Sequence, residues 1–197
     1  MSGHYFDERP STAEDRREVH FSAWGHDLRC TTGGGVFSGD HLDHATRVLL
    51  ESDGPPTGTV LDLGCGWGPI ALAVATASPS ATVWAVDVNE RARELTALNA
   101  AALGAGERVH VAAPESVPDH VRFDAIWSNP PIRIGKPALH DLLLHWLARL
   151  SDDGHARLVV GKNLGADSLQ RWLTDQGWPT ERTTSSKGFR VLTVRRG

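Results

Sequence analysis

The stretch Val60-Leu61-Asp62-Leu63-Gly64-Cys65-Gly66-Trp67-Gly68-Pro69 decides the fold of this chain. A short apolar run ends in an acid and is followed by three glycines at alternate positions. Glycine allows the backbone to turn sharply and to approach a ligand closely. The loop leads into a predicted helix at 70–77, and a helix N-terminus is electropositive. The stretch therefore predicts a strand, a ligand-binding turn and a helix.

Strands and helices alternate along the rest of the chain. The predicted strands are 59–63, 82–86, 108–112, 123–127, 155–160, 179–184 and 189–194, and the later predicted helices are 90–103, 137–150 and 166–176. Asn89 is placed to cap the helix at 90–103. Such alternation indicates an α/β fold with a mostly parallel sheet and helices on both faces. Two consecutive strands at the end predict an antiparallel C-terminal strand.

The N-terminal region has a different pattern. Residues 1–17 are polar and are predicted to form an arm. Alternating runs at 19–24 and 27–31 around Gly25-His26 predict a β-hairpin. Asp40 is expected to cap a helix whose apolar face is Leu42, Ala45, Val48 and Leu49. We expect two parts, an appendage at 1–51 and the main domain at 52–197.

Composition excludes several classes of protein. A chain of 197 residues with two cysteines fits one globular domain with reduced thiols, and not a secreted disulfide scaffold. The N-terminal sequence has no signal-peptide pattern and no stretch has the length of a membrane span, so we expect a cytoplasmic protein. The scattered histidines predict no metal site. A net charge of −4 argues against a nucleic-acid partner.

Asp87 is a second acid at a strand end, about 20 residues after the glycine loop, where it can accept both hydroxyls of a ribose. Dinucleotide oxidoreductases share this acid, but their glycine pattern is G-x-G-x-x-G. Here the pattern is G-x-G-x-G, preceded by Asp62. An acid at that point would repel a pyrophosphate and suits a cationic ligand.

A second motif, Ser128-Asn129-Pro130-Pro131-Ile132, follows the predicted strand 123–127. Prolines fix the backbone and leave carbonyl acceptors, and the Asn129 side-chain oxygen is a further acceptor. A rigid acceptor pair can hold an –NH2 group and direct its nitrogen lone pair. Conjugated amines are poor nucleophiles, so holding one in line with a methyl donor is the main catalytic requirement.

These motifs resemble those of a known family. D-x-G-x-G-x-G resembles motif I of the class I S-adenosylmethionine (SAM)-dependent methyltransferases, which are Rossmann-like. N-P-P resembles motif IV of amino-methyltransferases, where the next residue is usually Phe or Tyr. The run Ser-Asn-Pro-Pro-Ile-Arg-Ile-Gly-Lys at 128–136 is similar to the version found in short members of the "methyltransferase small" family, whose longer relatives are 16S rRNA guanine-N2 methyltransferases. Segments at 4–6, 19–38, 165–169 and 187–192 are also similar to that family.

The resemblance implies SAM as cofactor and assigns roles to matching positions. The implied cofactor residues are Asp62, Gly64, Cys65, Gly66, Asp87, Val88 and Asn129, with Gly35, Val36 and Phe37 in the pocket wall. The implied target-amine residues are Asn129, Pro130, Pro131 and Ile132. Arg133, Lys136, Phe189 and Arg190 are expected to bind substrate, with Lys162, Lys187, Arg195 and Arg196 on the same rim. The family's acid after the third strand is missing near Ala112, so a backbone acceptor is expected there.

The resulting hypothesis is direct methyl transfer from SAM to an exocyclic amine, with guanine N2 of small-subunit rRNA as the favoured target. Ile132 stacks more weakly than an aromatic residue, and Phe37, Phe189 or Trp127 could compensate. The alternatives are a protein glutamine-N5 methyltransferase, against which Ile132 argues, and a non-catalytic SAM-binding module. The expected partner is ribosomal RNA or a ribosomal subunit, with no membrane or metal, and the chain is expected to be a monomer.

Overall fold

A computed structural model describes residues 16–38 and 40–197. The strands, numbered along the chain, are β1 Arg16–Ala23, β2 His26–Gly33, β3 Thr59–Leu63, β4 Thr82–Val86, β5 Val109–Ala112, β6 Phe123–Ser128, β7 Leu150–Gly161, β8 Thr180–Ser186 and β9 Phe189–Arg195. The helices are α1 His44–Glu51, α2 Pro69–Ala77, α3 Glu90–Ala102, α4 Lys136–Leu147 and α5 Ala166–Asp175. The predicted resemblance at 4–6 and most of the predicted arm lie outside the described residues.

Seven strands form one sheet in the order β5-β4-β3-β6-β7-β9-β8. The strands from β5 to β7 pair in parallel, and β9 runs antiparallel to both β7 and β8. The predicted Rossmann-like fold with a mostly parallel sheet and an antiparallel C-terminal strand is confirmed. The largest difference in bounds within this sheet is at the start of β7: it begins at Leu150, which the sequence pattern places in the preceding helix, so this strand is twice as long as the predicted 155–160.

The two faces of the sheet bury separate hydrophobic clusters. Side chains of α2 and α3 pack on one face together with β1, β2 and α1. Side chains of α4 and α5 pack on the other face. Within β6, Trp127 points to the first cluster and Ile126 to the second, because successive residues of a strand alternate between faces. The N-terminal elements therefore share a core with the sheet; the division at residue 51 stays a prediction.

Two local predictions in the N-terminal region are wrong. The hairpin turn is Trp24-Gly25 and not Gly25-His26, since both turn residues have positive φ (49° and 80°), as a type I′ turn requires. The cap of α1 is Asp43 and not Asp40: the Asp43 carboxylate accepts from the backbone N–H groups of Ala45 and Thr46. Asp40 instead forms an ion pair with Arg17, a residue that belongs to β1 and not to an arm.

Candidate active site

The predicted site residues come together along the carboxyl edge of the parallel strands. The loops after β3, β4, β6 and β7 lie at this edge. The β8–β9 turn joins them, because Phe189 pairs with Gly161 at the end of β7. Open α/β sheets bind ligands at this edge, where the strand order reverses. Here the reversal lies between β3 and β6, and the glycine loop and the Asn129 segment are the two loops that flank it.

The glycine loop has a backbone conformation that only glycine adopts readily. Gly64, Gly66 and Gly68 all have positive φ, at 76°, 58° and 92°. The N–H groups of Gly64 and Cys65 donate to the Val86 carbonyl at 2.8 and 3.0 Å, which holds the loop against the end of β4. A Cβ added at Gly64 or Gly66 would meet open space, whereas one at Gly68 would collide with Thr96. We call the open space over Gly64 and Gly66, beside the Asp87 carboxylate, the glycine cradle; the third glycine allows close packing.

Asp62 is completely buried at the end of β3. Its Oδ2 accepts from the Ala71 N–H at 2.9 Å and so caps α2, whose N-cap residue, Gly68, has no side chain. Its Oδ1 is buried without a hydrogen-bond partner. Burial raises the pKa of Asp62 to about 7, and the nearby Asp87 carboxylate adds to the rise. A buried, unpartnered carboxylate oxygen fits the predicted contact with a cationic ligand.

Asp87 is held by backbone N–H groups. Its Oδ2 accepts from Gly66 and its Oδ1 from Asn89, both at 2.9 Å. Burial raises the pKa of this carboxyl group, and its backbone hydrogen bonds oppose the rise. A carboxylate has about four acceptor positions, so this group can still accept from a hydroxyl group in addition to its backbone N–H partners. The position of Asp87 beside the cradle fits the predicted ribose contact.

Residues 34–38, which follow β2, form a wall beside these acids. The Asn89 side chain donates to the Gly35 carbonyl at 2.9 Å, and the Trp67 indole donates to the Ser38 carbonyl at 3.2 Å. Val36 packs partly into the core, while Phe37 remains 49% exposed. Val88, after Asp87, is 50% exposed. Exposed apolar side chains beside a polar cradle are suited to the flat faces of a bound base.

Cys65 points away from the cradle into the core. Its Sγ lies 3.7 Å from the Thr96 hydroxyl, and the residue is 3% exposed. Burial raises the pKa of the thiol well above its usual value, with further contributions from Asp87 and Asp62. The thiolate needed for nucleophilic catalysis is therefore disfavoured. Any contact from Cys65 to a cofactor would use its backbone.

The N-P-P segment forms a rigid turn after β6. Pro131 has φ −74° and ψ 74°, and the Ile132 N–H donates to the Pro130 carbonyl at 2.8 Å, which together define an inverse γ-turn. The Pro130 carbonyl keeps one free lone pair for an external donor. The Asn129 side-chain amide donates to Asp43 Oδ2 at 2.9 Å and to Thr46 Oγ1 at 3.2 Å. Asn129 Oδ1 is thereby directed away from these two acceptors.

Ile132 stands where motif IV usually has Phe or Tyr, and three aromatic residues are candidates to stack on a substrate in its place. Ile132 is half-buried and packs against the core on the side of α4 and α5. Trp127 is 1% exposed and lies edge-on to Trp24 at 5.7 Å, so the expectation that it could stack on a substrate is wrong. Phe189 is half-buried at the carboxyl edge, and Phe37 is exposed on the loop wall. Of these two, Phe189 lies nearer the Asn129 side of the edge, since it pairs with Gly161 at the end of β7.

Four exposed cations lie at the carboxyl edge on the side of the Asn129 segment: Arg133, Lys136, Lys162 and Lys187. We call them the basic rim. The three loop segments that carry them, 129–136, 161–165 and 186–190, contain no acid. Arg190 forms an ion pair with Asp167 of α5, so its charge is partly compensated and it is not counted in the basic rim.

The remaining two predicted rim residues are elsewhere. Arg195 lies opposite His155, at the far end of β9, and Arg196 donates to the Leu150 carbonyl at 2.7 Å. Because β9 runs antiparallel to β7, both arginines are at the opposite edge of the sheet. The expectation that they line the same rim is wrong.

The acid that the family has after the third predicted strand, missing near Ala112, has no side-chain replacement within β5. The Ala112 carbonyl accepts from the Asp87 N–H at 3.3 Å.

Sequence reasoning missed three residues that organise the site. Asp43 and Thr46 bind the Asn129 amide, and Asn99 joins Thr31 of β2 to the Trp67 carbonyl after the glycine loop. Asp43 is a capping residue type that stands two residues before Ala45, so it could have been identified as the cap if Leu42 had been left outside the predicted helix. The contacts from these residues to the site are long-range and have no local sequence signal.

Metal and membrane sites can be checked within the described ranges. Between residues 16 and 38 and from 40 to 197, no group of three His, Cys, Asp or Glu side chains is placed to hold a metal ion. None of the helices in these ranges is both long enough and apolar enough to cross a membrane.

Comparison with known proteins places this geometry in a family. The model of the methyltransferase small domain matches residues 27–193. The chain is 32% identical to the uncharacterized protein YbxB of Bacillus subtilis over 200 residues, which cover all of both chains. It is 31% identical to ribosomal RNA small subunit methyltransferase C of Shewanella loihica over 167 residues, covering 78% of this chain and 48% of that protein.

A solved structure has the same fold. The 16S rRNA N2 methyltransferase RsmC of T. thermophilus, in complex with AdoMet and guanosine, superposes with a TM-score of 0.82 at 23% identity. The match covers 95% of this chain and 52% of that one. The chain thus spans about half the length of the rRNA methyltransferases that it matches.

Proposed function

The chain belongs to the methyltransferase small domain family, with SAM as its methyl donor, and we propose that it methylates an exocyclic amine, guanine N2 of small-subunit ribosomal RNA. One observation carries the proposal. Asn129 and the rigid Pro130-Pro131 turn lie beside the glycine cradle, and the Asn129 amide nitrogen is already bound to Asp43 and Thr46. The Asn129 oxygen is left to accept from a substrate amine.

The residues around the cradle fit the cofactor. The unpartnered Oδ1 of Asp62 suits an ammonium group, Asp87 has acceptor capacity for a ribose hydroxyl, and no side chain stands over the backbone of Gly64 and Gly66 to block a ligand. When bound, SAM supplies an electrophilic methyl group on a sulfonium. Asp62 and Asp87 then bind and orient the cofactor, and neither transfers a proton.

The acceptor segment serves the other reactant. Asn129 Oδ1 and the Pro130 carbonyl can each accept one hydrogen of an –NH2 group, which holds the nitrogen lone pair toward the methyl group. Orientation of this kind can supply most of the rate acceleration for a poor, conjugated nucleophile. The nitrogen becomes acidic once it is methylated, so its proton can pass to water and no strong base is needed.

The choice of ribosomal RNA has two supports. The relative from Shewanella loihica is named as a small-subunit rRNA methyltransferase, and the T. thermophilus neighbour was solved with guanosine. The basic rim places four exposed cations beside the acceptor segment, although the whole chain carries a net charge of −4. A target base within folded RNA must be extruded to reach such a site, and cations at the rim can hold the flanking phosphates.

The test is methylation with SAM labelled in its methyl group. Small ribosomal subunits, large subunits, naked rRNA and total protein are each incubated with the purified chain, and the Asn129→Ala variant serves as the control. We expect label in 16S rRNA, as free RNA or in the small subunit, and N2-methylguanosine in its nucleoside digest by mass spectrometry. Label found only in protein would favour the glutamine-methyltransferase alternative and contradict the proposal. N6-methyladenosine in the digest would keep the amine chemistry and reject the guanine target.

A further inference from the structure

The N-terminal helix α1 reaches into the acceptor site through two side chains. We propose that Asp43 and Thr46 are positioning residues that hold the Asn129 amide with its oxygen toward the target amine. This role rests on the proposed function, since it concerns the group that binds the substrate. Asn129 Nδ2 lies 2.9 Å from Asp43 Oδ2 and 3.2 Å from Thr46 Oγ1, so the amide nitrogen donates to two acceptors.

Asp43 selects one of the two orientations of the amide. An ionised carboxylate only accepts hydrogen bonds. If the Asn129 amide were flipped, its oxygen would face Asp43 Oδ2, with lone pairs opposed at 2.9 Å. The Thr46 hydroxyl both donates and accepts, so it tolerates either orientation. Asp43 therefore sets the orientation, and Thr46 supports it.

Asp43 is itself fixed by the helix that it caps. The same oxygen, Oδ2, accepts from the Ala45 N–H at 2.9 Å and from the Thr46 N–H at 3.1 Å. Thr46 is 4% exposed, and α1 packs into the core with Val48 and Leu49. The acceptor that orients Asn129 is therefore held by backbone groups in a packed helix.

This arrangement gives the N-terminal segment a part in the reaction. Without α1, the N-P-P turn would keep its backbone, but nothing described in the structure would distinguish the Asn129 amide oxygen from its nitrogen. A flipped amide would present N–H donors to the donor groups of the substrate amine. The amine would then lose one of its two acceptors.

Three substitutions separate capping from positioning. Asp43→Asn keeps the length of the side chain and keeps an oxygen that both caps the helix and accepts from Asn129. Asp43→Ser also caps well, because serine and aspartate rank alike as N-caps, but its shorter side chain cannot reach Asn129. Thr46→Val removes the second acceptor and keeps the shape of the side chain.

The activity test measures kcat, KM for the RNA substrate, SAM affinity and melting temperature. We expect Asp43→Ser to lower kcat by about tenfold, as the loss of one oriented hydrogen bond implies, with the other three quantities close to wild type. Asp43→Asn should restore most of kcat, and Thr46→Val should lower it by about threefold. Wild-type kcat in Asp43→Ser overturns the proposal. Equal losses in Asp43→Asn and Asp43→Ser also overturn it, since the loss would then follow charge.

A second measurement needs no substrate. The side-chain ¹H–¹⁵N resonances of Asn129, assigned by their absence in Asn129→Ala, report the hydrogen bonds of its amide. We expect them to shift in Asp43→Ser and to stay near their wild-type positions in Asp43→Asn. Unshifted resonances in Asp43→Ser contradict the positioning role. If the wild-type chain leaves RNA unmethylated while these resonances behave as expected, the proposed function fails and the positioning of Asn129 stands.

Discussion

The carboxyl edge has two halves, the proposed cofactor side with Asp62 and Asp87 and the proposed acceptor side with Asn129, and they are held in place by different kinds of contact. On the cofactor side, Asp62 and Asp87 accept from backbone N–H groups that are 9, 21 and 2 residues away in sequence. On the acceptor side, Asn129 is held by side chains that are 86 and 83 residues away. The two acids are thus held by backbone groups close to them in the chain, and Asn129 depends on side chains of a distant helix.

This difference indicates which half of the site a single side-chain substitution can disrupt. Backbone donors cannot be removed by changing their side chains, so the geometry around Asp87 tolerates variation in its surroundings. The orientation of Asn129 can be lost by one substitution in α1. The charges differ as well, since buried acids lie on the cofactor side and the exposed basic rim lies on the acceptor side. We therefore expect substitutions in one half to leave the function of the other half intact.

The largest effect is expected from Asn129→Ala, which tests this independence directly. Removal of the side-chain acceptor should lower turnover by about 100-fold or more, because misplacing the reacting amine costs on that order. SAM affinity, measured by calorimetry, should stay within about twofold, a change worth less than about 1 kcal/mol. The matched control is Asn163→Ala, at an exposed asparagine on the same edge, which should behave as wild type. Lost SAM affinity with normal turnover would show that the two halves are not separate.

The second prediction concerns the pH dependence of the cofactor half. Burial raises the pKa of Asp62 to about 7, so the folded chain binds this proton more tightly than the unfolded chain. The free energy of unfolding should therefore fall as the pH rises from about 4, the ordinary value for aspartate, to about 7, and then level off. A cationic ligand needs the ionised form, so SAM affinity should rise by more than about tenfold between pH 5 and pH 7.

Asp62→Asn separates this titration from that of Asp87. The amide oxygen can still cap α2 through the Ala71 N–H. The variant should be more stable than wild type at pH 8 in urea denaturation without ligand, and nearly equal at pH 4. Its SAM affinity should be low and should change little with pH between 5 and 7. A steep pH dependence that survives in Asp62→Asn would assign the titration to Asp87 or to another group.

The third prediction tests the cradle with two glycines of similar conformation. Gly66 (φ 58°) and Gly104 (φ 66°) both have open space where a Cβ would lie, but only Gly66 lies beside Asp87. Each change to alanine should cost about 1–2 kcal/mol of stability, from the left-handed backbone. Gly66→Ala should also weaken SAM binding by about tenfold, because the methyl group enters the cradle. Equal SAM affinities in the two variants would mean that the space over Gly66 is not used.

Most of the fold was predictable because its signals are local. The strand at Thr59–Leu63 and the helix cap at Asn89 follow from apolar runs and capping chemistry in adjacent residues. Errors occurred where two local signals compete. Asp40 and Asp43 both precede Ala45 and Val48, which are buried residues of α1. The packing of these two residues makes Asp43, the later of the two acids, the helix cap. Gly25 can occupy either position of a two-residue turn, and the register between Ala23 and His26 settles it.

The residues at the strand ends of the site were predictable, and their long-range partners were not. Asp62, Asp87 and Asn129 were identified because each terminates a strand, and parallel strands end at one edge. Asp43 and Thr46 were missed because their contact with Asn129 depends on how α1 packs on the sheet. Arg195 and Arg196 were misplaced because the direction of β9 decides which edge they reach. Sequence motifs thus identify strand ends better than they identify long-range partners.

The smallest effect is expected on the basic rim, where Lys162→Ala and Arg195→Ala form a matched pair. Both side chains are exposed cations, but they lie at opposite edges of the sheet. Lys162→Ala should raise KM for the RNA by about threefold. It should also make the slope of log K against log salt concentration shallower by about one, the effect of losing one phosphate contact. Arg195→Ala should leave both unchanged, although it alters net charge equally. Equal effects of the two changes would mean that RNA responds to the overall charge of the protein, and the separation of an acidic cofactor side from a basic substrate side would then have no role in recognition.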